Sequence, residues 1–449
     1  MSLPDRQSNA PLGGSYAGYV VLLLFLANVA NYGQRMIVSI LLPSIKADVP
    51  LTDGQLGLLM GGGFALFYAL AGVPLARFAD RRGRVKWLSI AIVFWSGATG
   101  FFGLTQNFLQ MLTARIALGV GESICIPTSH SLLIDYVSAE NRPFALGVHS
   151  TGAVVGATLS LMLGGYLATH VGWRQALNLI ALSGFALALL IFATLREPRR
   201  IAPADSLRVT GLVPLRAVVA HLISLRSYVL VLVAVCFGML VEYGLNQWLP
   251  SYYVRQFSLS VGEVGLYYGL AVAIGGIPGS ILGGLLAARL TRRDVRWLVW
   301  FPAAMYVMAV PIGLTMLLVS SARAALLLNG VYSFAIFTTN GALWAACFVH
   351  VPQQMRATTS ALTLLVAGIM GLALGPSLVG GISDVLAARG GKESLQSSLV
   401  IVEILAVGVI VPLLFAARHL RREQRDRART ELPPALDAGL LDGPLKESP

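Results

Sequence analysis

A few polar side chains stand inside long apolar runs, and their types set the chemistry open to the chain. Asn28, Asn31, Arg35 and Ser39 follow one another at steps of 3, 4 and 4, which places them on one face of a helix. Arg115, Gly119, Glu122 and Ser129 share a face of another. A charge at the centre of an apolar helix costs about 2.5–3.5 kcal/mol, so each of these needs compensation or a use. Arg35 and Arg115 could grip a phosphate or carboxylate through paired N–H bonds. Glu122 could take up and release a proton, competing with the anion for a shared arginine. The structural alternative is an Arg–Glu pair fastening the two helices, although buried pairs rarely add net stability.

A second polar group contains Glu242, Tyr243, Asn246, Gln247 and Trp248, with Glu242 and Asn246 on one face. Asn329, Ser333 and Asn340 share another face. These could form the opposite wall of a cavity that Asn28, Asn31, Arg35 and Arg115 line, with Asn246 and Asn340 as substrate contacts and Glu242 as a second proton carrier. His130 and His149 are candidates for a proton role or for ordinary hydrogen bonding. Glu403 is expected near an interface or against the helix bundle.

The runs that carry these residues define the fold class. Hydrophobic residues make up 56% of the 449 and charged ones 12%, about half the usual charged share of a globular protein. The apolar residues fall into twelve segments, at 16–42, 54–76, 87–105, 108–133, 144–169, 174–195, 228–252, 262–288, 297–319, 324–349, 357–386 and 394–417. Each can cross a hydrocarbon core of about 30 Å. The first is too long for a signal peptide and has no cleavage site before it. The expected fold is an all-α polytopic membrane protein with twelve transmembrane helices.

A net charge of +12 could suggest nucleic-acid binding, but the basic residues sit in short loops between the apolar runs. With the N-terminus in the cytoplasm, 25 of the 33 Lys and Arg residues face that side. Cationic loops resist translocation, so both termini should be cytoplasmic, as an even number of spans also requires. Cys125, Cys236 and Cys347 lie far apart inside apolar spans and read as small core residues.

The longest polar connection separates spans six and seven, dividing the chain into a cytoplasmic segment 1–15, a six-helix bundle 16–195, a linker 196–227, a second six-helix bundle 228–417 and a basic, disordered tail 418–449. Residues 212–225 could form a short helix on the membrane face. Landmarks recur across the divide: Arg115 and Arg323 head spans four and ten, and Arg142 and Arg356 precede spans five and eleven. Two such pseudo-symmetric halves imply a binding site between them near the membrane midplane. Glycines in spans five and eleven, with Pro376, permit close packing or bending.

The loop Ala76-Arg-Phe-Ala-Asp80-Arg81-Arg82-Gly83-Arg84-Val-Lys86 resembles the signature of the major facilitator superfamily, with Ala76 where the family usually has Gly. That resemblance implies a cytoplasmic latch involving Asp80, Arg84, Arg142 and the helix end near Arg356. A carboxylate at a helix N-terminus contributes about 0.3–1 kcal/mol, enough to bias two states. Asn31-Tyr-Gly-Gln-Arg35, Leu51-Thr-Asp-Gly-Gln, Arg115-x-x-x-Gly119-Val-Gly121-Glu122-Ser123 and Trp248-Leu-Pro-Ser-Tyr-Tyr together resemble the Spinster branch, in a bacterial form. The resemblance implies lysophospholipid or sphingoid-phosphate transport, with proton coupling through a span-one Asp and the span-four Glu. Gln34 occupies the Asp position and cannot titrate.

No G-x-x-x-x-G-K-[ST], H-E-x-x-H or G-x-S-x-G motif occurs, and His and Cys are scattered, so no enzyme activity, cofactor or metal is expected. The expectation is a monomeric secondary transporter of the inner membrane, contacting protons, membrane lipids and an amphipathic anion. The alternatives are a carrier of small carboxylates or sugar acids and, more distantly, a membrane sensor that does not transport.

Overall fold

Apolar segments too poor in polar residues to solvate their own backbone must close their hydrogen bonds internally, and here they do so as helices. The computed structural model describes residues 14–431 apart from 139, 199–212 and 392. The expected segment 1–15 (up to residue 13), part of the linker and the end of the tail lie outside the described residues. The helices in order are α1 (Gly14–Asp48), α2 (Asp53–Met60), α3 (Gly62–Arg82), α4 (Arg84–Leu104), α5 (Phe108–Glu122), α6 (Cys125–Tyr136), α7 (Arg142–Thr194) and α8 (Leu215–Ser224). They continue with α9 (Arg226–Phe257), α10 (Val261–Thr291), α11 (Trp297–Leu318), α12 (Ala322–Phe348), α13 (Arg356–Gly368), α14 (Gly375–Ala388), α15 (Ser394–Ile404) and α16 (Val407–Glu431).

Eleven helical stretches are long and apolar enough to cross a membrane. One of them, α7, makes two crossings. At 53 residues it would be about 80 Å long if straight, and it reverses at Gly172, whose φ of 82° favours a residue without Cβ. Its first arm runs along α1: Asn28 donates to the His149 carbonyl at 2.7 Å, and Arg174 pairs with Asp48. Its second arm returns along α4, where Arg174 donates to the Thr105 carbonyl at 3.1 Å and Gly103 and Gly100 face Asn178 and Ala181. The fold is therefore twelve crossing helices in two bundles.

Four spans expected to be continuous are interrupted. Span two breaks at Gly61, between α2 and α3. Span four breaks at Ser123–Ile124, between α5 and α6, and span twelve at Leu405–Ala406, between α15 and α16. Span eleven contains a π-helical stretch, Ile369–Leu374, just before Pro376. Proline lacks an N–H, and the wider turn absorbs the missing bond. Every one of these breaks falls inside an apolar run, and hydropathy alone reads through them.

Chain ends and basic loops share one face. Tyr16 donates to the Thr194 carbonyl at 3.2 Å and accepts from the Arg196 N–H at 2.9 Å. Glu423 accepts from the Ser227 N–H at 3.1 Å and also from its hydroxyl. That contact belongs to helix α16, which runs to Glu431, so the boundary expected at 417 is passed by ordered helix: the Arg-, Ala- and Glu-rich sequence favours helix. Helix α8 occupies most of 212–225, with Val218 and Leu222 buried.

Candidate functional site

The break in span four delivers a carboxylate to span one. Glu122 is the last residue of α5 and is fully buried. Arg35, on α1, donates Nε–H to Glu122 Oε2 at 2.9 Å and Nη2–H to Asn31 Oδ1 at 3.1 Å. Asn31 Nδ2 reaches the Glu122 carbonyl at 3.5 Å. Glu122 Oε1 has no hydrogen-bond partner among the described residues. The guanidinium sits among three rings, 4.6 Å from Tyr32, 4.8 Å from Phe64 and 4.9 Å from Tyr68, an arrangement that compensates part of its lost hydration. The side chains of residues 35 and 122 are thus in direct contact, with no hydrocarbon between them.

Next to this cluster, between the bundles, lies a cavity of about 170 Å³. Tyr32, Met36 and Ser39 of α1 and the first arm of α7 line one side; Glu242, Tyr243, Asn246 and Gln247 of α9, Tyr268 of α10 and Phe337 of α12 line the other. Tyr268 donates to Asn246 Oδ1 at 3.2 Å, fixing that amide, and Gln247 spans the halves to Met36 Sδ at 3.7 Å. Tyr32 belongs both to this wall and to the cage around Arg35. Glu242 is the single charge on the wall. Tyr243 belongs to the polar group read from the sequence, whereas Tyr32, Tyr68 and Tyr268 were not expected at the site, since aromatic residues in membrane spans are common; the i, i+4 pair Phe64 and Tyr68 was the available signal.

Other residues singled out by sequence lie elsewhere. Arg115 is buried and turned to backbone, donating to the carbonyls of Leu59 at 2.8 Å, Met60 at 3.3 Å and Arg35 at 3.4 Å. It caps the end of α2 exposed by the Gly61 break, where a cation suits the negative helix end. Gln34 points toward α4, donating to Ser96 Oγ at 3.2 Å and accepting from Thr99 Oγ1 at 2.8 Å. Asn28 ties α1 to α7, and the His149 ring packs against His130 at 4.9 Å between centroids, deep in the first bundle. Asn340 is half-buried on α12 and is not among the residues lining the cavity. Glu403 is fully buried inside the second bundle, not at an interface.

On the face of the chain ends, buried Arg84 pairs with Asp135 at 2.5 Å and Glu197 at 3.3 Å and donates to Ser131 Oγ at 2.8 Å. Asp80 is exposed and has no ion pair among the described residues. Arg142 donates to the carbonyls of Ile134 and Val137, and Arg356 to that of Val351. All of these contacts stay within one bundle. The φ of Gly83, 106°, makes the turn that brings Arg84 to the start of α4.

The far face is where the bundles are fastened, at residues sequence reasoning missed. Asp53, at the start of α2, accepts both Nη donors of Arg255 at 2.8 Å, Lys46 at 2.5 Å and Ser383 Oγ at 2.8 Å. Asp384 accepts from the N–H groups of Asp53 at 2.9 Å and Gly54 at 2.8 Å, a carboxylate at a helix N-terminus. Alongside, a Cβ at Gly57 would lie 2.5 Å from the Pro376 carbonyl, and one at Gly165 2.7 Å from that of Val261. The capping box at Thr52 and Gln55 was the sequence signal for this helix start.

Two bundles joined at one face around a polar central cavity match a known architecture. The model of the Major Facilitator Superfamily matches residues 24–376. The chain belongs to the major facilitator superfamily. It is a transmembrane transporter and a multi-pass protein of the inner membrane. It is similar to an MFS-type efflux pump of Mycolicibacterium smegmatis, at 30% identity over 93% of this chain and 96% of that one. It is also similar to a hexuronate transporter of Bacillus subtilis, at 28% over 86% and 93% respectively. Among solved structures, a bacterial homolog of the human lysosomal transporter Spinster, crystallised inward-facing and unoccupied, superimposes with a TM-score of 0.83 at 26% identity, over 92% of this chain and 99% of that one. The Spinster resemblance read from the motifs is thereby found in the fold as well.

Proposed function

We infer that this facilitator moves an organic anion with an apolar body by alternating access, linked to protons through Glu122 and Glu242. The carrying observation is the Arg35–Glu122 contact directly behind Tyr32, a wall residue of the central cavity. A proton on Glu122 cancels the charge that holds Arg35, freeing the guanidinium for an anion. A proton on Glu242 removes a negative charge from the opposite wall. Both steps favour anion binding, and by reciprocity a bound anion favours both protons. Proton and anion then travel in the same direction.

The face carrying the chain ends is the cytoplasmic one in this reading, as the basic loops argue. With the bundles clasped through Asp53, Arg255 and Asp384 at the other face, the cavity communicates with the cytoplasm. Reversal requires that clasp to open and contacts around Asp80, Arg84, Arg142 and Arg356 to form between the bundles. One chain contains the whole site, so a monomer suffices.

Two substrate classes fit the chemistry. The architecture shared with the Spinster homolog supports a lysophospholipid or sphingoid-phosphate. The small cavity and the likeness to a hexuronate transporter support a compact carboxylate or sugar acid. Uptake into proteoliposomes, comparing lysophosphatidate with glucuronate with and without an imposed pH gradient, separates them. Saturable glucuronate flux without lipid movement would select the second, and no pH effect on either would remove the proton linkage.

A further inference from the structure

The second bundle contains an acid with no part in the transport cycle proposed above. Glu403 is fully buried, and among the described residues no cation pairs with it. Tyr332 donates to its Oε2 at 2.9 Å, while Oε1 has no hydrogen-bond partner among the described residues. The site is built to admit the carboxyl group: a Cβ at Gly313 would lie 2.5 Å from Oε1 and 2.9 Å from the Tyr332 ring. An anion left buried with one neutral donor is costly, and a carboxylic acid is not.

Another tyrosine of this bundle packs against the helix that carries Glu242. Tyr306, on α11, is buried in the same bundle. Its hydroxyl packs on Gly238, where a Cβ would meet it at 2.8 Å, one turn before Glu242 on α9. From span eleven, the titratable side chain of α14 is Asp384, whose carboxylate is already engaged by the N–H groups of Asp53 and Gly54. Helix α9 contributes Glu242, and no basic side chain faces the cluster in an ion pair among the described residues.

The position of Glu403 along its helix adds a mechanical consequence. It is the penultimate residue of α15, and its carbonyl accepts from Ala406 N–H at 3.0 Å within the break that separates α15 from α16. Glu122 likewise ends α5 at the break in span four. In both cases the carboxyl group sits at the negative end of a helix, where an anion is disfavoured. Glu122 has Arg35 to offset this; Glu403 has no such partner.

We propose that Glu403 is a third proton-binding site of this protein, holding its proton as a neutral carboxylic acid bonded by Tyr332 at the span-twelve break. Proton loss there would leave a carboxylate beside the span-twelve break. The step is a simple transfer: the carboxylic O–H breaks and the proton passes to water, leaving the carboxylate with the Tyr332 O–H bond. The assignment adds a site to the proton-linked reading, but its occupancy can be measured without any substrate.

Infrared difference spectroscopy of the full-length protein in liposomes, titrated with pH and exchanged into heavy water, tests it. Wild-type protein should show a carboxylic acid C=O band that titrates, disappears in Glu403→Gln, and shifts in Tyr332→Phe, which removes the bond to Oε2. An unchanged spectrum in Glu403→Gln, or a band that neither titrates nor exchanges, overturns the assignment. Lysophosphatidate and glucuronate uptake by Glu122→Gln under a pH gradient reports separately on the earlier reading, so the two can fail independently.

Discussion

Arg35 Nε and Glu122 Oε2 are 2.9 Å apart inside the first bundle, and the other carboxylate oxygen has no partner among the described residues. This asymmetry makes the pair easy to dissociate by a single proton. In wild-type protein, anion affinity should fall by up to about tenfold per pH unit above the titration. Glu122→Gln keeps the shape and removes the charge, so binding in that variant should keep only the weaker pH dependence contributed by Glu242. Arg35→Ala instead leaves an uncompensated carboxylate, which costs about 3–5 kcal/mol for a buried pair. Adding Glu122→Gln to Arg35→Ala should restore most of the lost thermal stability. Strictly additive losses in the double variant would mean that the two side chains are not coupled.

The clasp on the far face gives a test of conformational balance. Asp53 joins Arg255 of the second bundle through two bonds of 2.8 Å, so Asp53→Asn weakens the state in which that face is closed. A shift of about 1–3 kcal/mol corresponds to roughly 5- to 150-fold in the population ratio. Ser377, whose hydroxyl faces the Gly57 carbonyl at 3.3 Å across the interface, is a suitable reporter. The thiol of Ser377→Cys should react faster with a membrane-impermeant maleimide when combined with Asp53→Asn. Equal labelling rates would mean that the clasp does not hold the face shut.

Sequence patterning carried the twelve crossings and the two halves, because a bilayer imposes length and hydropathy on every span. It also carried the pairing of Arg35 with Glu122, since buried charges must find one another. It could not show that Arg115 is consumed by the carbonyls of Leu59 and Met60, because that use depends on a helix break at Gly61 that hydropathy passes over. The same holds for Glu403, whose depth within the bundle follows from packing of α11, α12 and α15 and not from its own span. The Asp53–Arg255 clasp joins residues 202 positions apart, and both sit at span ends, where charge is unremarkable.

Arg84 and Asp80 share one loop but have different surroundings, and their variants should separate. Arg84 is buried between Asp135 and Glu197, so Arg84→Ala removes charge-assisted bonds worth about 1.5–3 kcal/mol each before relaxation. Asp80 is exposed, and Asp80→Asn should change thermal stability by no more than about 0.5 kcal/mol. If Asp80 contributes only when the bundles close at its face, Asp80→Asn should still slow transport under a gradient. Melting curves and uptake rates of the two variants check this. A stability loss in Asp80→Asn equal to that of Arg84→Ala would place a partner on Asp80 while the far face is clasped.

Restoring the acid of the span-one motif tests why this chain does without it. Gln34 bridges Ser96 and Thr99 of α4, and a small void beside it is bounded by Arg115. Gln34→Asp is one methylene shorter, so it loses the bridge and leaves a carboxylate at a void whose cation, Arg115, has its donors on backbone carbonyls. The neutral acid is tolerated there and the anion is not. The melting temperature of the variant should therefore drop below wild type as pH rises, with a cost of about 1–3 kcal/mol for the unpaired group once ionised. If the new acid also exchanges protons during transport, the reversal potential of uptake should shift toward more protons per anion. A stability difference that does not change with pH would show that the introduced carboxylate finds compensation as the anion, and that Arg115 can leave the α2 carbonyls to provide it.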